Sequence, residues 1–303
     1  MLKILSYGSL IAICITLGSC RSEQDQDTLN KNTLVDTSLS KVTISDETIN
    51  GIINSIPSPL ETVTLIKESG LKYDESFLNP SDNIEKYKSK YAKSFAIGIY
   101  SADLGYLNLY EKNVASLNYI VAVRKLSQDL GLEQFFDFET LKRLASSNKN
   151  LDSLLYISTS CFNKMDSYLR KNKRSEQSSL IIIGAWIEGL YFETEMAKNN
   201  PSKKIRESIG SQKVAINSIM AILDVYKNND YFKNVKTQMD PLKKLFDKVD
   251  ITYNYKEPET KEVNGELVII EKSESVVTIP DDVFKDIITN TGEIRKAILN
   301  STN

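Results

Sequence analysis

The chain has 303 residues, 41% of them hydrophobic and 26% charged, with 38 basic against 40 acidic side chains, the balance of an ordinary globular protein with one sizeable core. It contains no histidine, which removes Ser-His-Asp and Cys-His catalysis, a histidine general base and every imidazole metal site. A formal charge of −2 gives no global field for phosphates, and no basic stripe marks a nucleic-acid partner.

Met1 to Lys3 carry one positive charge, and Ile4 to Leu17 form a short apolar run, the shape of a secretory signal over residues 1–19. The run ends in Leu17-Gly18-Ser19-Cys20, which resembles the bacterial lipobox. That resemblance implies cleavage before Cys20, acylation of Cys20 by palmitate-type chains, and a membrane partner reached through the lipid. An ordinary signal peptide or an uncleaved anchor is the alternative, although the run is short for a membrane span. Arg21 after the cysteine, where aspartate marks inner-membrane retention, points to the outer membrane; Ser22-Glu23-Gln24-Asp25 loosely resembles acidic signals for the cell surface, so periplasmic and surface faces both stay open. Residues 20–45, rich in Ser, Thr, Asp, Gln and Asn, read as the lipidated cysteine and a solvated tether. With Cys14 removed and Cys20 acylated, Cys161 has no disulfide partner and reads as a small core residue.

Residues 46–303 read as one mainly α domain, an antiparallel multi-helix bundle. Ser58-Pro59 starts a helix over Leu60 to Ser69, closed at Gly70. Apolar residues from Ile84 and Tyr87 through Tyr106 and Leu109 recur at helical spacing over Asn83 to Leu109, and Val114 to Leu130 repeats the pattern, with Val121 counted on its apolar face and Gly131 as its cap. Further helices are predicted over Phe138–Ala145, Leu151–Leu169, Ser175–Ala197, Ile205–Tyr226 and Tyr231–Val249, the last restarted or kinked at Pro241. Ile251–Tyr255 and Glu266–Ile279 predict a β-hairpin or ribbon near 251–279, and Pro280 opens a final docked helix to about Leu299.

The chemistry-bearing signal is polarity inside apolar runs. Asp103 lies in Ala96-Ile97-Gly98-Ile99-Tyr100-Ser101-Ala102-Asp103-Leu104-Gly105-Tyr106, and Glu188 in Gly184-Ala185-Trp186-Ile187-Glu188-Gly189-Leu190-Tyr191. Buried carboxylates need a cation and donors or they hold protons, and Arg124 is the expected partner, giving an Asp103–Arg124–Glu188 cluster. Such a cluster lines a pocket, performs acid–base work, is a structural ion pair, or is the solvent-facing edge of each helix; spacing leaves all four open. Gly98, Gly105, Gly184 and Gly189 remove bulk, so their helices either approach closely or leave a cavity ringed by Tyr100, Tyr106, Tyr110, Trp186 and Tyr191. No calcium loop, phosphate-binding loop, Cys cluster or Gly-x-Ser-x-Gly turn is present, so neither a cofactor nor a metal is expected and no catalytic residue is assigned.

Ile56-Pro57-Ser58-Pro59-Leu60-Glu61, the segment around Asp103 and the segment around Glu188 together resemble a group of uncharacterised helical lipoproteins of Gram-negative bacteria. The resemblance implies an envelope location and a helical body, and assigns no site residue. The reading that follows is a membrane-anchored envelope lipoprotein, a non-enzymatic module that binds an envelope protein or small ligand. The alternative is a hydrolase of envelope polymers that uses Asp103 and Glu188.

Overall fold

The computed structural model describes residues 72–145, 151–199, 201–263, 266–270 and 274–301, together with Gly51, Leu65, Ile66 and Gly70. The signal and lipobox with Cys20, the tether, and most of the helix expected at Leu60 to Ser69 lie outside the described residues. The body is mainly α. Its helices are α1 (Lys90–Leu109), α2 (Asn113–Asp129), α3 (Phe138–Ala145), α4 (Leu151–Lys171), α5 (Ser175–Asn199), α6 (Lys203–Val225), α7 (Asp230–Asp247) and α8 (Asp281–Asn300). Among the described residues no helix is long and apolar enough to cross a membrane.

Polar residues set the helix starts. Ser89, Ser202 and Asn229 accept hydrogen bonds from the backbone N–H groups of Ala92, Ile205 and Tyr231, which would otherwise be orphaned. Gly131, at φ +65°, ends α2 in the left-handed conformation that a side chain disfavours. The cap at Ser89 corrects the early start expected at Asn83. Ser81–Lys86 is a 3₁₀ turn, and Tyr87 is extended so that its buried ring meets Tyr100 edge-on at 6.2 Å. The apolar spacing of Ile84 and Tyr87 therefore belongs to a separate strap, residues 72–89, and not to the helix that follows.

α5 is the central element: it packs against α1, α4, α6 and α8. Its contact with α1 is backbone to backbone. A Cβ on Gly98 would lie 2.0 Å from the Ile181 carbonyl oxygen, and one on Gly184 would lie 2.2 Å from that of Phe95. Close approach is thus the outcome for Gly98 and Gly184. Tyr100 and Tyr106 are core residues, the latter stacked on Phe192 with centroids 4.8 Å apart.

α7 runs through Pro241 without the expected restart, held on both sides by the buried Met239 and Leu242. Two antiparallel pairs follow: β1 (Asp250–Asn254) with β4 (Glu274–Thr278), and, nested between them in the chain, β2 (Glu259–Val263) with β3 (Glu266–Ile270). β2 is more than the sequence announces, because Glu259-Thr260-Lys261-Glu262 has no apolar alternation. The outer pair rests on α6 where Gly210 makes room for Val277 and Ile279. Pro280 then starts α8, whose Ile287, Ile288, Ile294 and Ile298 are buried and dock the helix on α5 and α7.

Candidate functional site

The strap carries backbone groups that helix bonds cannot satisfy, and α1 supplies partners from one face at a spacing of three residues. Tyr106 accepts from Asp74 N–H at 3.0 Å, Asp103 Oδ2 accepts from Asn79 N–H at 3.3 Å, and the Tyr100 hydroxyl donates to the Pro80 carbonyl at 3.0 Å. Successive anchors run in opposite chain directions, so the strap lies antiparallel to α1. The buried polarity of α1 is therefore in large part a fastening for non-helical chain.

Asp103 and Glu188 are both 0% exposed, and their shared cation is Arg295 on α8. Arg295 donates to Glu188 side-on: Nε reaches Oε2 at 2.5 Å and Nη2 pairs with Oε1. Nη2 also donates to the Phe77 carbonyl at 3.1 Å, and the guanidinium lies over the Tyr191 ring at 4.2 Å. Burial works against the arginine's charge, yet the two acids hold its pKa above the ordinary value. No donor reaches Asp103 Oδ1. Burial first, and the Glu188 charge second, push Asp103 well above the usual carboxylate range, against the pull of Arg295. Two buried acids thus face one guanidinium, and burial together with the Glu188 charge favours the protonated form of Asp103.

Arg124 is not a member, which corrects the expected trio. It lies exposed on the outer side of α2, 5.5 Å over the Phe138 ring, because α2 turns Ile120, Val123 and Ser127 inward and position 124 falls outside that stripe. Val114 and Val121 are likewise on the outside, at 82% and 62% exposure. The signal for Arg295 was present: it stands four residues after the buried Thr291 and seven after Ile288, on the edge of α8's core face. Trp186 is also elsewhere. Its indole N–H donates to Gln212 Oε1 on α6 at 2.8 Å, and Gln212 and Ser208 in turn donate to the buried Glu193. Cys161 is buried, and burial raises its thiol pKa, the setting of an inert core cysteine.

An open cleft of about 470 Å³ lies between the strap, the C-terminal half of α5 and α8, within the size range of small-molecule sites. Asn79, Asn83, Lys86 and Tyr87 come from the strap, Tyr191, Glu195 and Lys198 from α5, and Thr289, Gly292, Glu293, Arg295 and Lys296 from α8. Asn79 Nδ2 donates to the Tyr87 hydroxyl at 3.0 Å; burial pushes that phenol up to about 12, so it stays neutral. Gly292 differs from Gly98, Gly184 and Gly210: its Cβ would meet Tyr191 Cε2 at 3.7 Å, an ordinary contact. Packing does not demand this glycine, which weakens the helix by roughly 0.5–1 kcal/mol relative to alanine. What its missing side chain leaves is open cleft. Among the described residues no group of three acids or cysteines converges on a metal position.

No protein-family model, no curated protein and no solved structure matches this chain.

Proposed function

We propose that the protein is an envelope lipoprotein held at the outer membrane by acylated Cys20, and that its helical body is a non-enzymatic binding module whose ligand site is the cleft between the strap, α5 and α8. The observation that carries the binding role is Gly292, a helix-interior glycine spent on keeping a cleft open and not on packing. The anchor rests on the sequence Leu17-Gly18-Ser19-Cys20 alone.

The hydrolase alternative depends on Asp103 and Glu188 flanking a substrate. Both carboxylates are fully buried and Glu188 is held side-on by Arg295, which counts against that reading. Two experiments test the proposal. Cys20→Ala in a bacterial host should abolish incorporation of a labelled fatty acid and release the protein from the membrane fraction; unchanged labelling removes the anchor. A thermal-shift survey with envelope glycans, lipids and peptides should yield a stabilising ligand whose effect is lost in Gly292→Leu. A ligand that stabilises both forms equally places binding elsewhere.

A further inference from the structure

We infer that the cleft takes a small carboxylate-bearing polar molecule, of the chemistry of an acidic sugar, with its carboxylate on Arg295. The inference rests on the reading of the cleft as a ligand site and adds the class of ligand. Arg295 is 11% exposed and fixed on three sides: Nε and Nη2 by Glu188, Nη2 again by Phe77, and the guanidinium face by Tyr191. Its Nη1 has no partner among the described residues and is not sealed off, so two N–H donors are left for the cleft that Arg295 lines. A guanidinium already immobilised in this way loses little freedom when an oxygen anion binds.

The charge balance selects a monoanion. Arg295 is matched by Glu188, and Lys198 by Glu195 at 2.5 Å, while Lys86 and Lys296 have no partner among the described residues and share the lining with Glu293 as its remaining charge. One positive charge is left over. Burial and the Glu188 charge raise the Asp103 pKa, which favours the form that adds no negative charge behind Arg295. The walls are mixed: Tyr191 and Leu299 supply apolar surface, while the Asn83 carbonyl and the Asn300 amide have no bond among the described residues and the Tyr87 hydroxyl accepts from Asn79. Such walls suit a hydroxylated ring, whose C–H face packs on apolar surface while its hydroxyls meet the amides.

The test is isothermal titration of the full-length protein in detergent with glucuronate, glucose and inorganic phosphate as probes. Glucuronate should bind at least tenfold more tightly than either of the others. Lys86→Ala with Lys296→Ala, two exposed positions that leave the fold intact, should weaken glucuronate at least fivefold and flatten its dependence on salt. Gly292→Leu should abolish binding at an unchanged circular dichroism spectrum. Glucose binding as well as glucuronate, or phosphate binding better, in a manner lost in Gly292→Leu, overturns the ligand class while the cleft stands as a site. Glucuronate binding that neither the lysine pair nor Gly292→Leu affects overturns both.

Discussion

α5 meets two neighbours in opposite ways. Toward α1, Gly184 and Gly98 let backbones touch and leave no room for a methyl group. Toward α8, α5 presents Glu188, Tyr191 and Glu195, and the facing glycine, Gly292, touches almost nothing. The same residue type in helices of the same body thus answers two different demands. A glycine speaks for a binding site only where a methyl group would have fitted.

Substitution separates the two contacts most sharply. Gly98→Ala drives a methyl into the Ile181 carbonyl and the Ala185 amide, which cannot yield as a side chain can. The loss should exceed the roughly 1–3 kcal/mol of ordinary overpacking, reaching about 4 kcal/mol or more in urea denaturation. A loss under 1 kcal/mol would show that the helices do not meet through these glycines. Next in size, Glu188→Gln leaves Arg295 buried without its carboxylate and should cost about 3 kcal/mol, whereas Arg124→Ala should stay within about 0.5 kcal/mol. Equal effects at the two positions would refute the exchange of Arg124 for Arg295.

The third expectation concerns pH. The folded state binds the Asp103 proton more tightly than the unfolded chain, so the associated stability is complete below the ordinary value of 3.8 and drains away as pH rises through the elevated folded value. Each unit of difference is worth about 1.4 kcal/mol. Asp103→Asn keeps a donor for Glu188 and has nothing to titrate, so its stability should fall less than the wild type's between pH 4 and 9. Parallel pH curves for the two proteins would mean that Asp103 is ionised in the fold. Smallest is Gly292→Ala, which should stabilise the protein by about 0.5–1 kcal/mol. A loss of stability there would make Gly292 a packing glycine like Gly98.

What the sequence announced and what it concealed divide along physical lines. Helices α2 to α8 were legible within a few residues because amphipathic period, caps and breaks are local, and so was the burial of Asp103 and Glu188 in their apolar runs; spacing alone did not choose between close approach and a cavity at Gly98 and Gly184. The strap was hidden, because Ile84 and Tyr87 keep helical spacing by chance while Ser89 restarts the count. Arg295 was overlooked in favour of Arg124, which is nearer to Asp103 in the chain; choosing between two arginines beside apolar stripes requires knowing which helices touch. The cleft was illegible for the same reason, since its walls come from three separated segments.

The bond from Arg295 to the Phe77 carbonyl joins residues 218 positions apart. Until α8 docks, Asp103 and Glu188 lack the cation that meets them in the finished body, so any earlier pairing of α1 and α5 leaves the acid pair facing water. Completion of the body therefore waits for α8, a closure of very long sequence separation and correspondingly slow. A chain cut short before Arg295 would hold two acids at interior positions without their cation, so the last helix decides whether the whole body closes.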